Sequence, residues 1–151
     1  MRRLTISIDD ELADTFDRLM KDKGYQSRSE AFRDLLRGEL GRDSVDHGDA
    51  HHCVAALSYV YNHHERQLAA RLTELQHDHH DVTVSTMHAH LDHDNCIETM
   101  ILRGHTQEVI QFAQTVIAEK GVRHGKFNVI PVDAQSNGHS HRQHVHLRPH
   151  T

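Results

Sequence analysis

Residues 86–96 read TMHAHLDHDNC, with two histidines two apart, His88 and His90, followed by one of only two cysteines in the chain, Cys96. Imidazole nitrogen and thiolate sulfur are the donors that Zn, Cu, Ni and Co accept. Side chains two apart on a strand share a face, so both imidazoles can reach one ion. The polar stretch DHDN then turns the chain back and brings Cys96 close to His90. Three donors are one short of a closed site. The nearest pool, QHDHH at residues 76–80, lies at the far end of the extended segment. At ~3.3 Å per residue, His77 is more than about 20 Å from His90 of the same chain, so a fourth donor comes more easily from another subunit. Against this stands the composition: 18 histidines among 151 residues, with further H-x-H pairs at His139/His141 and His144/His146. A metal site and a chance arrangement are both open on the residues alone. His63, His64, His105 and His124 read as surface residues, and Cys53 is given no role.

The donors need rigid elements to hold them. Val82, Val84, Thr86, His88 and His90 alternate onto one face of a strand, and CIETMILR supplies the return strand. Before them, VAALSYVY reads as a buried strand and residues 65–76 as a helix with Leu68, Ala69, Leu72 and Leu75 inward. After them, Thr106 can cap a helix to Lys120 closed by Gly121, and KFNVIPV reads as a last strand. The order strand, helix, strand, strand, helix, strand is the ferredoxin-like arrangement, spanning residues 53–133. The residues from 134 to 151 are polar, dotted with histidine and expected to be disordered.

The first 42 residues are different. RRLTISI alternates, with Leu4, Ile6 and Ile8 on one face and Arg3, Thr5 and Ser7 on the other. Asp9, Asp10 and Glu11 suit a helix N-terminus, and Gly24 its end. Ser27 and Glu30 form an S-x-x-E capping box before a second apolar stripe. A lone strand has no ladder partner, and about forty residues make a marginal core. Two copies pairing their strands solve both problems, and a two-stranded ribbon fits the DNA major groove. A solvated edge strand is the plainer alternative. Residues 43–52 are polar and unpatterned and read as a linker. The fold class is therefore α+β in two parts.

Composition excludes some classes. The net charge is −5 with histidine neutral, and residues 1–42 carry nine basic and nine acidic side chains, so any DNA contact must use local charge such as Arg2 and Arg3. No apolar run is long enough to span a membrane. The N-terminus lacks the apolar core of a signal peptide, and two distant cysteines suit a cytoplasmic protein with reduced thiols. No nucleophile motif, phosphate loop or H-E-x-x-H occurs, so an enzyme is not expected.

These residues resemble the nickel-responsive transcriptional regulators of the NikR family. RRLTISIDDEL with GYQSRSEAFRDLLR is similar to the family's ribbon-helix-helix DNA-binding module. VAALSYVY, QHDHHD, HAHLDHDNC and GVRHGKFNVIP are similar to its ferredoxin-like, ACT-type regulatory domain. The resemblance implies a homotetramer, a dimer of dimers, that binds one high-affinity Ni(II) per chain. His88, His90 and Cys96 match three ligands of a square-planar site, and His77 of a neighbouring subunit matches the fourth. Arg3, Thr5 and Ser7 match the strand residues that read operator DNA, with serine standing at position 7 where the family has threonine. Glu30 and Asp34 match a second cation site. The implied function is repression of nickel-uptake genes when Ni(II) is bound. Because Cys96 must lose its proton, nickel affinity should fall at acid pH. The tail GHSHRQHVHLRPHT departs from the family pattern. It suggests the main rival, a nickel or zinc storage or delivery protein. A zinc hydrolase with Glu98 as its base is a second. Neither gives the strand-helix-helix module a purpose.

Overall fold

In the computed structural model, which describes residues 4–136 and 145–150, the acidic run after the alternating segment opens helix α1 (Asp10–Lys23). The Asp9 carboxylate caps it by accepting the Leu12 amide at 2.8 Å, and Asp10 and Glu11 lie in the first turn, at the positive end of the helix dipole. Gly24, at φ +73°, closes it in the left-handed conformation that costs glycine nothing. Helix α2 (Arg28–Asp46) begins where the Ser27 hydroxyl accepts the Glu30 amide at 3.1 Å. Arg28 ties the two helices through Asp17, whose carboxyl the guanidinium holds below the usual range. The helix runs into the stretch read from sequence as a linker, because no left-handed glycine interrupts it before Gly48 at φ +74°.

Among the described residues, residues 4–9 form no ladder, and Leu4, Ile6 and Ile8 are 70%, 53% and 47% exposed. A strand needs a second backbone, and the described residues of this unit, Met1–Arg42, contain none. Arg3 lies outside the described residues.

The second unit, Asp43–Thr151, is one antiparallel sheet under two helices. Its elements are β1 (His52–Asn62), α3 (Arg66–Asp78), β2 (Thr83–His90), β3 (Asn95–His105), α4 (Thr106–Ala118), β4 (Arg123–Ser136) and β5 (Val145–Pro149), and the strand order is β2-β3-β1-β4-β5. β1 is buried at alternate residues rather than throughout. Cys53, Ala55, Leu57, Tyr59 and Tyr61 face a core completed by Leu68 and Leu72 of α3 and Val109, Phe112, Ala113 and Val116 of α4. Thr106 is the first residue of α4 and His105 holds the capping position, without a side-chain cap bond.

The C-terminal stretch expected to lack structure is partly a strand. β5 pairs with β4 from Val132↔Pro149 to Ser136↔Val145. β5 satisfies the outward backbone donors and acceptors of the last part of β4, Val132–Ser136. His139, His141 and His144 lie outside the described residues. Among the described residues, no helix is long and apolar enough to cross a membrane.

Candidate metal centre

The β2–β3 hairpin sets the register that the chemistry needs: His90 pairs with Cys96 and His88 with Glu98. Its turn is held by Asp92, whose carboxylate accepts the amides of Asp94 and Asn95 at 2.8 and 2.7 Å. These bonds, with the Asn95 side-chain amide foremost, keep the Asp92 carboxyl below the usual carboxylate range. The result places His90 Nδ1 3.3 Å from the fully buried Cys96 sulfur.

A third donor arrives from elsewhere. His63, one residue past β1, has its Nδ1 3.1 Å from the same sulfur. β1 ends opposite β3 at Asn62↔Asn95, and the His63 amide donates to the Asp94 carbonyl at 3.0 Å. The ligating atoms of His63, His90 and Cys96 lie within 4.8 Å of one another. Adjacent donors at ~2.0–2.3 Å from one ion are about 3 Å apart, so these spacings suit a bound transition metal. The sequence reading put His63 on the surface; it is half-buried and belongs to the cluster. The only signal in the sequence was its place directly after a strand that pairs with the cysteine strand. Desolvation, and then the charges of Asp92 and Glu98, push the Cys96 thiol up, so a metal must displace a firmly held proton.

His88 stands beside this cluster, its ring 5.1 Å from that of His90. Its Nδ1 faces Glu98 Oε2 and the Tyr61 hydroxyl, each at 3.5 Å, leaving Nε2 as the other ligating nitrogen. Glu98 is 6% exposed and accepts from the Tyr59 hydroxyl at 2.6 Å, the Tyr61 hydroxyl at 3.3 Å and Gln76 Nε2 at 2.8 Å. Burial and the nearby Glu98 charge push the Tyr61 hydroxyl up to about 12 and raise Tyr59 further, so both remain donors. A carboxylate with this many donors orients an imidazole; it has no free lone pair to act as a hydrolytic base. Replacing Glu98 with glutamine is expected to weaken Ni(II) binding about 10- to 100-fold, read by competition with a chromophoric chelator. Unchanged affinity would remove Glu98 from the site.

The remaining candidates are not among these gathered donors. His77 is exposed near the end of α3 and is not among the gathered donors. Glu30 and Asp34 are exposed one turn apart on α2, with Asp34 3.6 Å from Arg37. Thr5 and Ser7 are exposed on the unpaired segment before α1.

Residues 54–130 match the NikR C-terminal nickel-binding domain, and residues 2–43 match the ribbon-helix-helix protein family, copG family. The chain is 49% identical over 132 residues to nickel-responsive regulators of Brucella abortus biovar 1 (strain 9-941) and Brucella suis biovar 1 (strain 1330). It is 48% identical over the same length to that of Brucella melitensis biotype 1. In each case the match covers 87% of this chain and 100% of the relative.

Proposed function

The chain belongs to the NikR family of nickel-responsive transcriptional regulators, and from that premise we propose how its residues divide the work of a nickel-controlled DNA switch. Regulation through a ribbon-helix-helix module and a nickel-binding domain is the family's activity, and it is not an enzymatic one. One Ni(II) per chain is held by His88, His90 and Cys96 of one copy and His77 of another, in a homotetramer built as a dimer of dimers. The bound ion supplies a cross-link between copies. What carries this reading is the hairpin register, which sets two imidazoles and a thiol at one end of the sheet beside an orienting carboxylate. His63 fits as the neighbour that shields the thiol until His77 of another copy completes the set.

Assembly is supported by surfaces that a single chain leaves open. Leu4, Ile6, Ile8, Leu12, Leu36 and Leu40 are exposed in the first unit, which suits pairing of two copies. In the second unit Ile101 and Ile130 are exposed on the sheet face away from the helices. Arg3, Thr5 and Ser7 then form the outer face of the paired ribbon and contact base edges in operator DNA. Glu30 and Asp34 take a second, weaker cation. Both cysteines are free and buried, which suits the reducing cytoplasm. The regulated genes are those for nickel uptake, repressed when Ni(II) is bound.

The test is retention of sheared genomic DNA by the full chain with no metal, one Ni(II) per chain or one Zn(II) per chain. Enrichment of a few palindromic fragments with nickel alone is the expected result. Equal retention in all three conditions would overturn nickel control. No retention in any would return the chain to the storage reading.

A further inference from the structure

Helix α3 carries a polar residue where its packing calls for an apolar one. Leu68 and Leu72, one turn apart, are buried in the core. The next position on that stripe is Gln76, and both ends of its amide are used. Gln76 Nε2 donates to Glu98 Oε1 on β3 at 2.8 Å, and Gln76 Oε1 accepts from the Thr86 hydroxyl on β2 at 3.1 Å. One side chain therefore ties the last turn of α3 to both strands of the hairpin that holds His88, His90 and Cys96. Nearer its middle the helix is fastened by Arg71, which donates to Glu119 at 2.9 Å and to the Lys120 carbonyl at 3.2 Å, just past α4.

Glutamine suits this position by its chemistry. Leucine there would leave the buried Glu98 carboxylate one donor short, and glutamate would set a second carboxylate against it. Through its other oxygen Glu98 faces His88 Nδ1 at 3.5 Å. A continuous polar path thus runs from α3 to an imidazole of the metal centre: Gln76, Glu98, His88. The residue after Gln76 is His77, which is exposed. Successive side chains on a helix leave it about 100° apart, so a Gln76 held on its own hairpin sets the direction of His77.

We propose that Gln76 is a positioning residue that couples two nickel sites: it links His88 of its own chain to the placement of His77, which serves the site of another copy. The inference rests on the shared-site reading above. In a two-fold pair that sharing is reciprocal. When His88 of one copy is held at Nε2, its Nδ1 stays on Glu98, Glu98 stays on Gln76, and His77 is presented to the other copy. Ligation of His77 acts along the same path in reverse: α3 is fixed, Gln76 holds Glu98, and Glu98 orients His88. Filling either site then raises the affinity of the other, and by linkage the gain is equal in both directions.

The test follows Ni(II) uptake by the full chain in competition with a chromophoric chelator and reads midpoint affinity and Hill coefficient. A Hill coefficient of roughly 1.5 is expected for the unaltered chain, the value that a coupling of about tenfold between two sites produces. Gln76→Met keeps side-chain length and helix preference but removes both hydrogen bonds. It should abolish the cooperativity and weaken binding about tenfold, with the melting temperature of the metal-free chain little changed. Thr86→Val, at an exposed position that does not endanger folding, should lower the Hill coefficient part of the way. Non-cooperative uptake by the unaltered chain would overturn the proposal, as would full cooperativity in Gln76→Met or in Thr86→Val. His77→Ala separates this from the reading beneath it. Unchanged nickel affinity in His77→Ala would remove the shared site itself, whereas weakened binding there beside an unaffected Gln76→Met would overturn the coupling alone.

Discussion

Replacing Cys96 with alanine is expected to weaken Ni(II) binding about 100- to 1000-fold and to abolish the nickel-dependent change in DNA affinity. A four-donor structural metal site is worth ~10–16 kcal/mol, so one donor contributes roughly 2.5–4 kcal/mol, and the thiolate is the strongest donor of this set. The Cys96 sulfur is the atom on which His63 Nδ1 and His90 Nδ1 both converge, at 3.1 and 3.3 Å. A hundredfold rise in DNA affinity requires about 2.7 kcal/mol of coupling between metal and operator. A chain that has lost more than that in metal affinity cannot deliver it at working nickel concentrations. Fragment retention with and without Ni(II), for Cys96→Ala and for His63→Ala, separates the roles. His63→Ala should keep the nickel response, because His63 is proposed as a shield rather than as a ligand of the loaded state. A nickel response preserved in Cys96→Ala would sink the assignment of the hairpin as the sensing site.

Ile6→Asp should eliminate DNA retention under all metal conditions while leaving Ni(II) binding intact. Ile6 is 53% exposed in the single chain, between Leu4 and Ile8 on the same face. Pairing two copies would bury that face twice over, and each large aliphatic side chain contributes about 1.5–3 kcal/mol when fully buried. An aspartate there is a like-charged pair across the new ladder, with both carboxylates facing desolvation, which costs several kcal/mol more. The ribbon would not form, and the outward-facing Thr5 and Ser7 would have no platform. The second unit has its own core of Tyr59, Phe112, Leu57 and their neighbours, and nothing in that core depends on Ile6. DNA retention by Ile6→Asp at wild-type levels would show that the alternating segment does not pair.

Much of this molecule could be read from local pattern. The alternation of Thr86, His88 and His90 and the polar turn after them specify a hairpin in which His90 meets Cys96, because a one-residue slip would turn every side chain to the other face; a register shift between Thr83 and Ser85 breaks the longer alternation read over residues 82–90, so Val82 is buried while Val84 is exposed. Asp9, Ser27 and Gly24 mark helix ends by chemistry that acts within four residues. The exposed Leu4, Ile6 and Ile8 carry their meaning in the alternation itself, and a single chain cannot satisfy it.

The remainder depends on contacts between residues far apart in the chain, for which no local pattern exists. His63 joins Cys96 because β1 ends opposite the start of β3, thirty-odd residues later, and that pairing is a property of sheet order. In the sequence Glu98 is the one acid adjacent to the cluster that a hydrolase reading could use as its base. The helix above it and two tyrosines on the neighbouring strand turn it into a buried, saturated carboxylate that orients His88. The terminal histidines resembled a soluble tail until β4 offered an open edge, and β5 closing that edge is what carries His150 to Asp133. Composition and periodicity determined which side chains could bind metal and most of the strands and helices, but neither the extension of α2 to Asp46 nor β5. Only the tertiary structure decided which imidazoles meet, because strand order and edge pairing are settled by the burial of a shared core and not by any short stretch of sequence.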